Sequence, residues 1–554
     1  MTKISIPVPV ILQTTSEAFS YERRNLEGRS GVDLRDFDEV KLTTIDRIDR
    51  EDLEELLAVG VELGAKKFTK TLAAILGASE ESGWKVPSIE AFQKQLADYL
   101  RETTTNGWLW KKAPDGTYLP YAVTKVEFVP TDRHRHDGRP HVTVSVTWWG
   151  VDRFEDTVLK QRHERWTFMP GDVSNRRIPS ILAAHDIIVA DAAMEAAWTD
   201  TIAGFDEILA NGFAKQFRVT GPVLAVKGIY ARDFKADGFI GNRAICDTDP
   251  SMIRDCPDAV DSAAMGSNID PMEVPLPRHP IVFAFDLTTH QTCTLNTGSL
   301  AWYQYDMGLR DKLILPDTHV DMLDVLTTDI EALTEDVIEG KSAGNIILAK
   351  GPAGTGKTLM AEVYSELMET PLYRIHAGTL GTTASVISKS LDEVFRRSAR
   401  WGCALLIDEA DVFVMTRGDD MERNAVTAEF LRSLEYFPGM IFMTTNRPDD
   451  IDEAVISRCA AVLQFDPPSA AAARRIWRTQ AENYGYEIEE ELIDELVLAY
   501  PGATGRDIKQ LMRQALRYAA KRTEDGRVSA DIVRKVAMFR GVKMGRPDNG
   551  VRHA

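Results

Sequence analysis

Between residues 50 and 100 the apolar positions recur at helical spacing: Phe68, Leu72, Ile75 and Leu76, then Phe92, Leu96, Tyr99 and Leu100 behind a capping Ser88. This predicts a helical N-terminal segment over 1–107. At Trp108 the period shortens. The stretches YAVTKVEFV and HVTVSVTWW alternate, or run in β-branched and aromatic residues, on either side of the polar loop TDRHRHDGRP. That pattern predicts a hairpin with a long connection. An α+β domain over 108–310 follows, with helical text over 181–209 and β-like text over 217–230. A loop-rich stretch over 246–280 and a strand pair near 281–285 and 292–295 complete it.

Helical text resumes in a connector over 311–344 and ends at a short apolar run, 345–349, that reads as a buried parallel strand. LYRIHA, ALLID, GMIFMTTN and AVLQF are four more such runs, interleaved with helices over 384–401 and 425–437. Five short apolar strands alternating with helices predict an α/β domain built on a doubly wound parallel sheet, over 345–466. After Pro467 and Pro468 the pattern is wholly helical, including 469–484, 489–500 and 505–522. This predicts a C-terminal helical lid over 467–540, with a tail over 541–554.

A chain of 554 residues is too long for one core and divides into about three or four domains. Its 84 acidic residues against 65 basic ones give a net charge of -19, which argues against nucleic acid as a partner, because phosphate contacts need clustered Lys and Arg. No run approaches the length needed to cross a bilayer, and the N-terminus lacks the pattern of a signal peptide. The expectation is a cytoplasmic protein with no membrane partner. Five cysteines, Cys246, Cys256, Cys293, Cys403 and Cys459, show no CxxC spacing and read as buried, reduced thiols. The loop with Arg133, His134, Arg135, His136 and Arg139 reads as a charged hairpin loop, and Trp108, Trp110, Trp148 and Trp149 as core or domain interface.

The chemistry is concentrated at GPAGTGKT, residues 351–358. Gly351, Gly354 and Gly356 let the backbone turn tightly and aim N–H groups at phosphate oxygens. Pro352, Ala353 and Thr355 complete the loop, and the helix that starts near Lys357 adds its positive end. Lys357 is placed to reach the β and γ phosphates of ATP, and the Thr358 hydroxyl to bind Mg²⁺. Roughly fifty residues on, the apolar run at 404–407 ends in Asp408 and Glu409. Two carboxylates at the end of a buried strand are costly unless they act. Asp408 suits Mg²⁺ held through water, and Glu409 suits a base that orients and deprotonates the attacking water. The expected fold is accordingly a P-loop NTPase.

From residue 345 onward the sequence resembles an AAA ATPase module of the broad AAA+ superfamily. The two motifs above match its Walker A and Walker B elements, and they are followed by RGDDMERNA, a helix, and GMIFMTTNRPDDIDEAVISR. The resemblance implies roles for matching positions. Asn446, in TTNR, corresponds to the polar sensor of the γ phosphate or lytic water. Arg458, in DEAVISR, corresponds to the arginine finger given to a neighbouring subunit's nucleotide. Arg506, in GATGRDIKQL, corresponds to a second sensor, and Asp336, Val337 and Ile338 would lie against the adenine. A finger acting in trans implies a homo-oligomer, a hexamer by family expectation. A protein substrate or adaptor recognised through the N-terminal region is implied likewise.

Two departures stand beside these matches. The loop after the second strand reads HAGTLGTTAS, without the aromatic residue that grips a threaded polypeptide in many AAA unfoldases, so Leu380 is the nearest apolar grip. Arg458 is followed by CAAVLQF, without a second arginine. The text AGTLGTT, LLIDEADVF, ERNA, SLEYFPG and TTNRP resembles a less studied AAA branch of bacteria and fungi with an uncharacterised N-terminal domain. Three classes of function stay open: an ATP-driven remodeller of proteins, a nucleic-acid loader or remodeller, and an assembly switch or scaffold set by its nucleotide.

Overall fold

The structure is a computed structural model that describes residues 4–27, 39–42, 48, 50–65, 68–69, 71–72, 85–104, 106–130, 138–151, 159–227, 241–253, 258–261, 273–328, 345–381, 383–416, 421–434, 437–523 and 526–542. The chain forms two compact units, one of residues 1–213 and 217–301 and one of residues 214–216 and 302–554.

In the first unit the strands Ile4–Pro7 and Glu39–Leu42 pair antiparallel. The helices Val8–Gln13 and Arg50–Glu62 share a small core with them that includes Ile6, Ile11, Phe19 and Leu56. The predicted hairpin is present: Tyr118–Val129 pairs antiparallel with His141–Gly150, and the loop residues 131–137 lie outside the described ones. These strands sit in a five-stranded sheet in the order Lys160–Phe168, His141–Gly150, Tyr118–Val129, Trp108–Lys112, Ile187–Ile188. Helix Ile89–Thr103, capped by Ser88 Oγ accepting from Ala91 N, covers one face. Its Phe92, Leu96 and Leu100 join Leu109, Val123, Val144 and Phe168 in one core. The boundary expected at 107/108 therefore runs through a single hydrophobic core, because a half-buried sheet needs a covering layer.

The other face buries Trp108, Trp110 and Trp149. Trp108 donates its ring N–H to Pro275 O at 2.7 Å and meets Trp198 edge-on, and Trp149 packs on Phe205. Trp148 belongs to the helix-covered core and stacks on His279, whose ring reaches Pro120 O at 2.6 Å. Burial lowers His279 to about 3, so it serves this core as a neutral ring. A six-stranded sheet follows, in the order Ala225–Val226, Thr292–Asn296, Ile281–Asp286, Arg243–Cys246, Gln216–Val219, Leu300–Trp302. Burial raises the thiols of Cys246, Cys293, Cys403 and Cys459, and Cys459 is only half-buried.

The second unit carries the predicted parallel sheet. Its strand order is Leu372–His376, Ala404–Asp408, Ile441–Thr445, Ile346–Lys350, Ala461–Gln464, all neighbours parallel. The strand that feeds the glycine loop is thus flanked by the fourth and fifth strands in sequence, a doubly wound α/β order. Ile346–Ala349 and Leu405–Ile407 are buried, as expected for strands covered by helices on both faces. The helices Lys357–Leu367, Ala384–Trp401 and Met421–Leu434 supply those layers.

Four lid helices follow, Ala470–Asn483, Glu490–Ala499, Gly505–Arg522 and Ala530–Arg540, around Trp477, Leu496, Leu511 and Val533. The last of them falls within the helical pattern expected over 467–540, and its ends carry ordinary signals: Ser529 caps its start and Gly541, in the left-handed region, ends it. Of the connector, helix Asp317–Thr327 is described. Asp336, Val337 and Ile338 lie outside the described residues. Among the described residues no helix is long and apolar enough to cross a membrane.

Candidate active site

The site forms where the parallel strands end. Strand Ile346–Lys350 runs into Gly351, whose φ of 142° and near contact with Phe465 leave no room for a side chain: a Cβ there would lie 2.0 Å from Phe465 O. The loop turns again at Gly354 (φ 86°) and Gly356 (φ 104°), and helix Lys357–Leu367 begins directly after it. Pro352 and Ala353 are exposed at the loop's outer edge, and Thr355 Oγ1 closes it by donating to Pro352 O at 2.9 Å. The loop and helix start together present backbone N–H groups to one point, an anion-binding geometry.

Lys357 lies over this loop, its Nζ donating to Gly351 O at 2.8 Å and to Pro352 O at 2.6 Å. Burial, and then the positive charge of Arg506, lower its pKa, with Asp408 and Asp411 pulling the other way. Thr358 Oγ1 donates to Asp408 Oδ1 at 3.1 Å. Asp408 is 5% exposed and both its oxygens accept hydrogen bonds: Thr444 Oγ1 also donates to Oδ1, at 2.6 Å, and Arg374 Nη2 to Oδ2 at 2.5 Å. Burial raises this carboxyl, but the Thr444 bond, the Arg374 charge and the Thr358 bond together hold it below the ordinary value. It is a carboxylate at neutral pH. A hydroxyl and a carboxylate at this separation form the hard-oxygen donor pair that suits Mg²⁺.

Glu409 follows in the left-handed region, with φ 55°. A non-glycine residue there carries about 1–3 kcal/mol of strain, and it is held by Glu409 N donating to Thr444 Oγ1 at 3.0 Å. The turn separates the two acids: Asp408 points into the structure and Glu409 is exposed. On the next strand, Asn446 is exposed at the strand end, its N–H donating to Asp411 Oδ1 at 3.2 Å, and Thr445 Oγ1 donates to the same carboxylate.

The lid closes one side. Arg506 N donates to Gly354 O at 3.1 Å, so the start of helix Gly505–Arg522 rests on the phosphate loop. Thr504 and Asp507 form a capping box there. A Cβ at Gly354 would lie 2.8 Å from both Arg506 Cβ and Thr504 Oγ1. Gly354→Ala is therefore expected to push the lid off the loop and weaken ATP binding at least about tenfold, since the positive φ adds strain to the clash. Titration with a fluorescent ATP analogue measures it, and wild-type affinity would remove the lid contact from the site.

Arg458 follows the short helix Glu453–Ile456, and its Nη1 donates back to Ala454 O at 2.9 Å. The loop after the second strand also differs from the expectation. Ala377–Thr379 is a single 3₁₀ turn, and Leu380 is only 4% exposed, so it is a core residue and not a grip.

Three residues of the site escape a reading of the sequence. Arg374 links Asp408 to Glu362 Oε1, 3.3 Å away on the phosphate-loop helix. Thr444 bridges Asp408 and the Glu409 backbone, and Asp411 holds the end of the Asn446 strand. Their signal is that of polar residues at the ends of apolar strands, but which strand neighbours which is decided by the sheet order.

Comparison with known proteins bears on the same region. Residues 347–467 match the family model described as ATPase family associated with various cellular activities (AAA). An uncharacterised AAA family ATPase, y4kL of Sinorhizobium fredii, is 30% identical over 185 residues, 31% of this chain and 54% of that protein. The ATP-dependent zinc metalloprotease FtsH 3 of Synechocystis is 28% identical over 193 residues, 32% of this chain and 30% of that protein. The chain thus spans between about a third and a half of the length of these relatives. Among solved structures, the FIGL-1 AAA domain in complex with ADP aligns with a TM-score of 0.35 at 19% identity, covering 44% of this chain and 87% of that one. The loop, the acidic strand end and the sheet order agree with the family match, and this chain carries an AAA ATPase domain.

Proposed function

We propose that this protein is a ring-forming ATPase, hexameric as its resemblance implies, in which each site is completed by Arg458 of a neighbour and the ATP cycle remodels a protein substrate or complex. One observation supports the shared site above all. Lys357, Thr358, Asp408, Glu409, Asn446 and Arg506 are tied to one loop and its adjoining strand ends, whereas the Arg458 guanidinium turns back to its own helix.

In this reading the loop N–H groups and Lys357 hold the β and γ phosphates. Thr358 and Asp408 hold Mg²⁺, which when bound neutralises phosphate charge. Glu409, exposed at the strand end, takes a proton from the attacking water, and Asn446 orients that water. Arg506 approaches from the lid, and a neighbour's Arg458 meets the charge that develops on the γ phosphate. The FtsH relatives are by name ATP-dependent proteases, which favours protein as the substrate class, recruited through the N-terminal unit.

Mixing variants tests the shared site. Arg458→Ala alone is expected to bind ATP normally and lose hydrolysis by about 10³-fold or more. Glu409→Gln alone is expected to bind and not hydrolyse. Mixed, the two should recover part of the rate, because Arg458 of the Glu409→Gln chain can serve an intact site on the Arg458→Ala chain; a mixture no faster than its components would falsify the shared site.

A second reading is favoured by Leu380. With that side chain buried and no aromatic in the loop, the ring has no evident grip for threading, which fits an assembly switch whose ATP state sets partner binding. Hydrolysis stimulated by a protein cargo supports the remodeller. Assembly that follows nucleotide state without such stimulation supports the switch, and salt-sensitive stimulation by DNA or RNA would replace both with a nucleic-acid function.

A further inference from the structure

We propose that the exposed basic face of lid helix Gly505–Arg522 docks the acidic segment that precedes Arg458 in a second copy of this chain. The proposal rests on the trans-acting role given to Arg458 above, and it assigns the contact that would bring that arginine in.

Arg506, Lys509, Arg513, Arg517 and Lys521 follow one another at intervals of three and four residues, so they share one helix face. At ~1.5 Å per residue the row is about 22 Å long. All five are exposed, while Ile508, Leu511, Met512, Ala515 and Ala519 bury the opposite face. The helix has one carboxylate, Asp507, and it is used in the capping box. Four other lid arginines are matched by acids, Arg474 by Asp494, Arg478 by Glu490, Arg527 by Glu489 and Arg534 by Asp531, whereas Arg475, Arg522 and Arg540 are exposed without such a pair among the described residues. None of the five in the row has an ion-pair partner among the described residues. Like charges one turn apart repel, so this face costs stability in the isolated chain and gains it when an anionic surface covers it.

The same sequence contains a matching anion. With a net charge of -19, a second copy is on balance the right sign, and Asp449, Asp450, Asp452 and Glu453 place four carboxylates within five positions just ahead of Arg458. Asp452 caps the helix that leads to Arg458, and Asp449 and Glu453 are exposed. The row begins at the phosphate loop, where Arg506 N meets Gly354 O. A neighbour's Arg458 that reaches the phosphates therefore carries its acidic segment to the near end of the row. A basic helix face also suits nucleic acid, but the acidic segment, tied by a few residues to the arginine that has to arrive, favours the second copy.

The test uses the full chain with Glu409→Gln as background, ATP and Mg²⁺, and sedimentation velocity across protein and salt concentrations. Lys509→Glu, Arg513→Glu and Arg517→Glu together are expected to raise the concentration for half-assembly at least about tenfold at 0.1 M salt, the difference shrinking as salt rises. Adding Asp449→Lys and Asp450→Lys to the same chain is expected to restore assembly, an outcome that a merely misfolded variant would not give. Reversal with assembly unchanged overturns the docking face and leaves the shared site standing. Loss of assembly that the counter-reversal does not restore overturns the pairing of these two segments. A parent chain that stays monomeric with ATP removes the shared site itself. Oligonucleotide binding that the triple reversal abolishes, with assembly intact, gives the face to nucleic acid instead.

Discussion

Lys357→Ala is expected to abolish measurable ATP binding. The ammonium is held over the loop by Gly351 O and Pro352 O, at 2.8 and 2.6 Å, so it is already oriented where the glycine turns and the helix start aim their N–H groups. Charge-assisted hydrogen bonds from this ammonium to the β and γ phosphates would contribute about 1.5–3 kcal/mol each, and losing two weakens binding on the order of 10²- to 10⁴-fold. The alanine also removes a buried cation from beside Asp408 and Asp411, which raise the Lys357 pKa through their charge, leaving the site more repulsive to phosphate. A fluorescent ATP analogue titrated into the variant checks this, and micromolar affinity in the variant would mean that the loop is not the nucleotide site. Lys357→Arg is not a conservative control, because a planar guanidinium does not fit the space of a compact ammonium.

Glu409→Gln is expected to separate binding from chemistry. The side chain is exposed, its backbone is fixed by Thr444, and the amide keeps its size, so ATP affinity should stay within about threefold. Hydrolysis should fall about 10²- to 10⁴-fold, the usual contribution of a positioned general base. Single-turnover measurement with saturating ATP reads the chemical step directly. Near-normal turnover would leave the strained φ of 55° without a catalytic reason. The strain itself is informative: an αL glutamate at a strand end turns its carboxylate away from buried Asp408, so neighbouring acids serve separate tasks.

The parallel sheet is legible in the sequence because each strand is a short apolar run and each helix between them has its own period. The glycine loop is legible because its spacing admits few other uses, and Asp408 and Glu409 because carboxylates at the end of an apolar run are rarely idle. Leu380 misleads for a local reason. Judged by its neighbours Thr379 and Thr382 it sits in a polar loop, but the chain folds it inward after the turn Ala377–Thr379. The helix Ile89–Thr103 is evident from its period, yet the sheet it covers is not, since periodicity shows that a face is apolar without showing what it meets.

The sequence by itself determined the elements, the phosphate loop and the two acids, because these depend on residue type at short range: glycine where φ is positive, lysine and threonine at a helix start, carboxylates at a strand end. Tertiary structure decided what acts on them. Placing Ile441–Thr445 beside both Ala404–Asp408 and Ile346–Lys350 brings Thr444 to Asp408, the outer strand brings Arg374 to the same carboxylate, and the lid brings Arg506 to Gly354. Those contacts join residues from about 34 to 152 positions apart. No local pattern encodes them, since they exist only once strands pair in one order and burial makes each polar end find its partner.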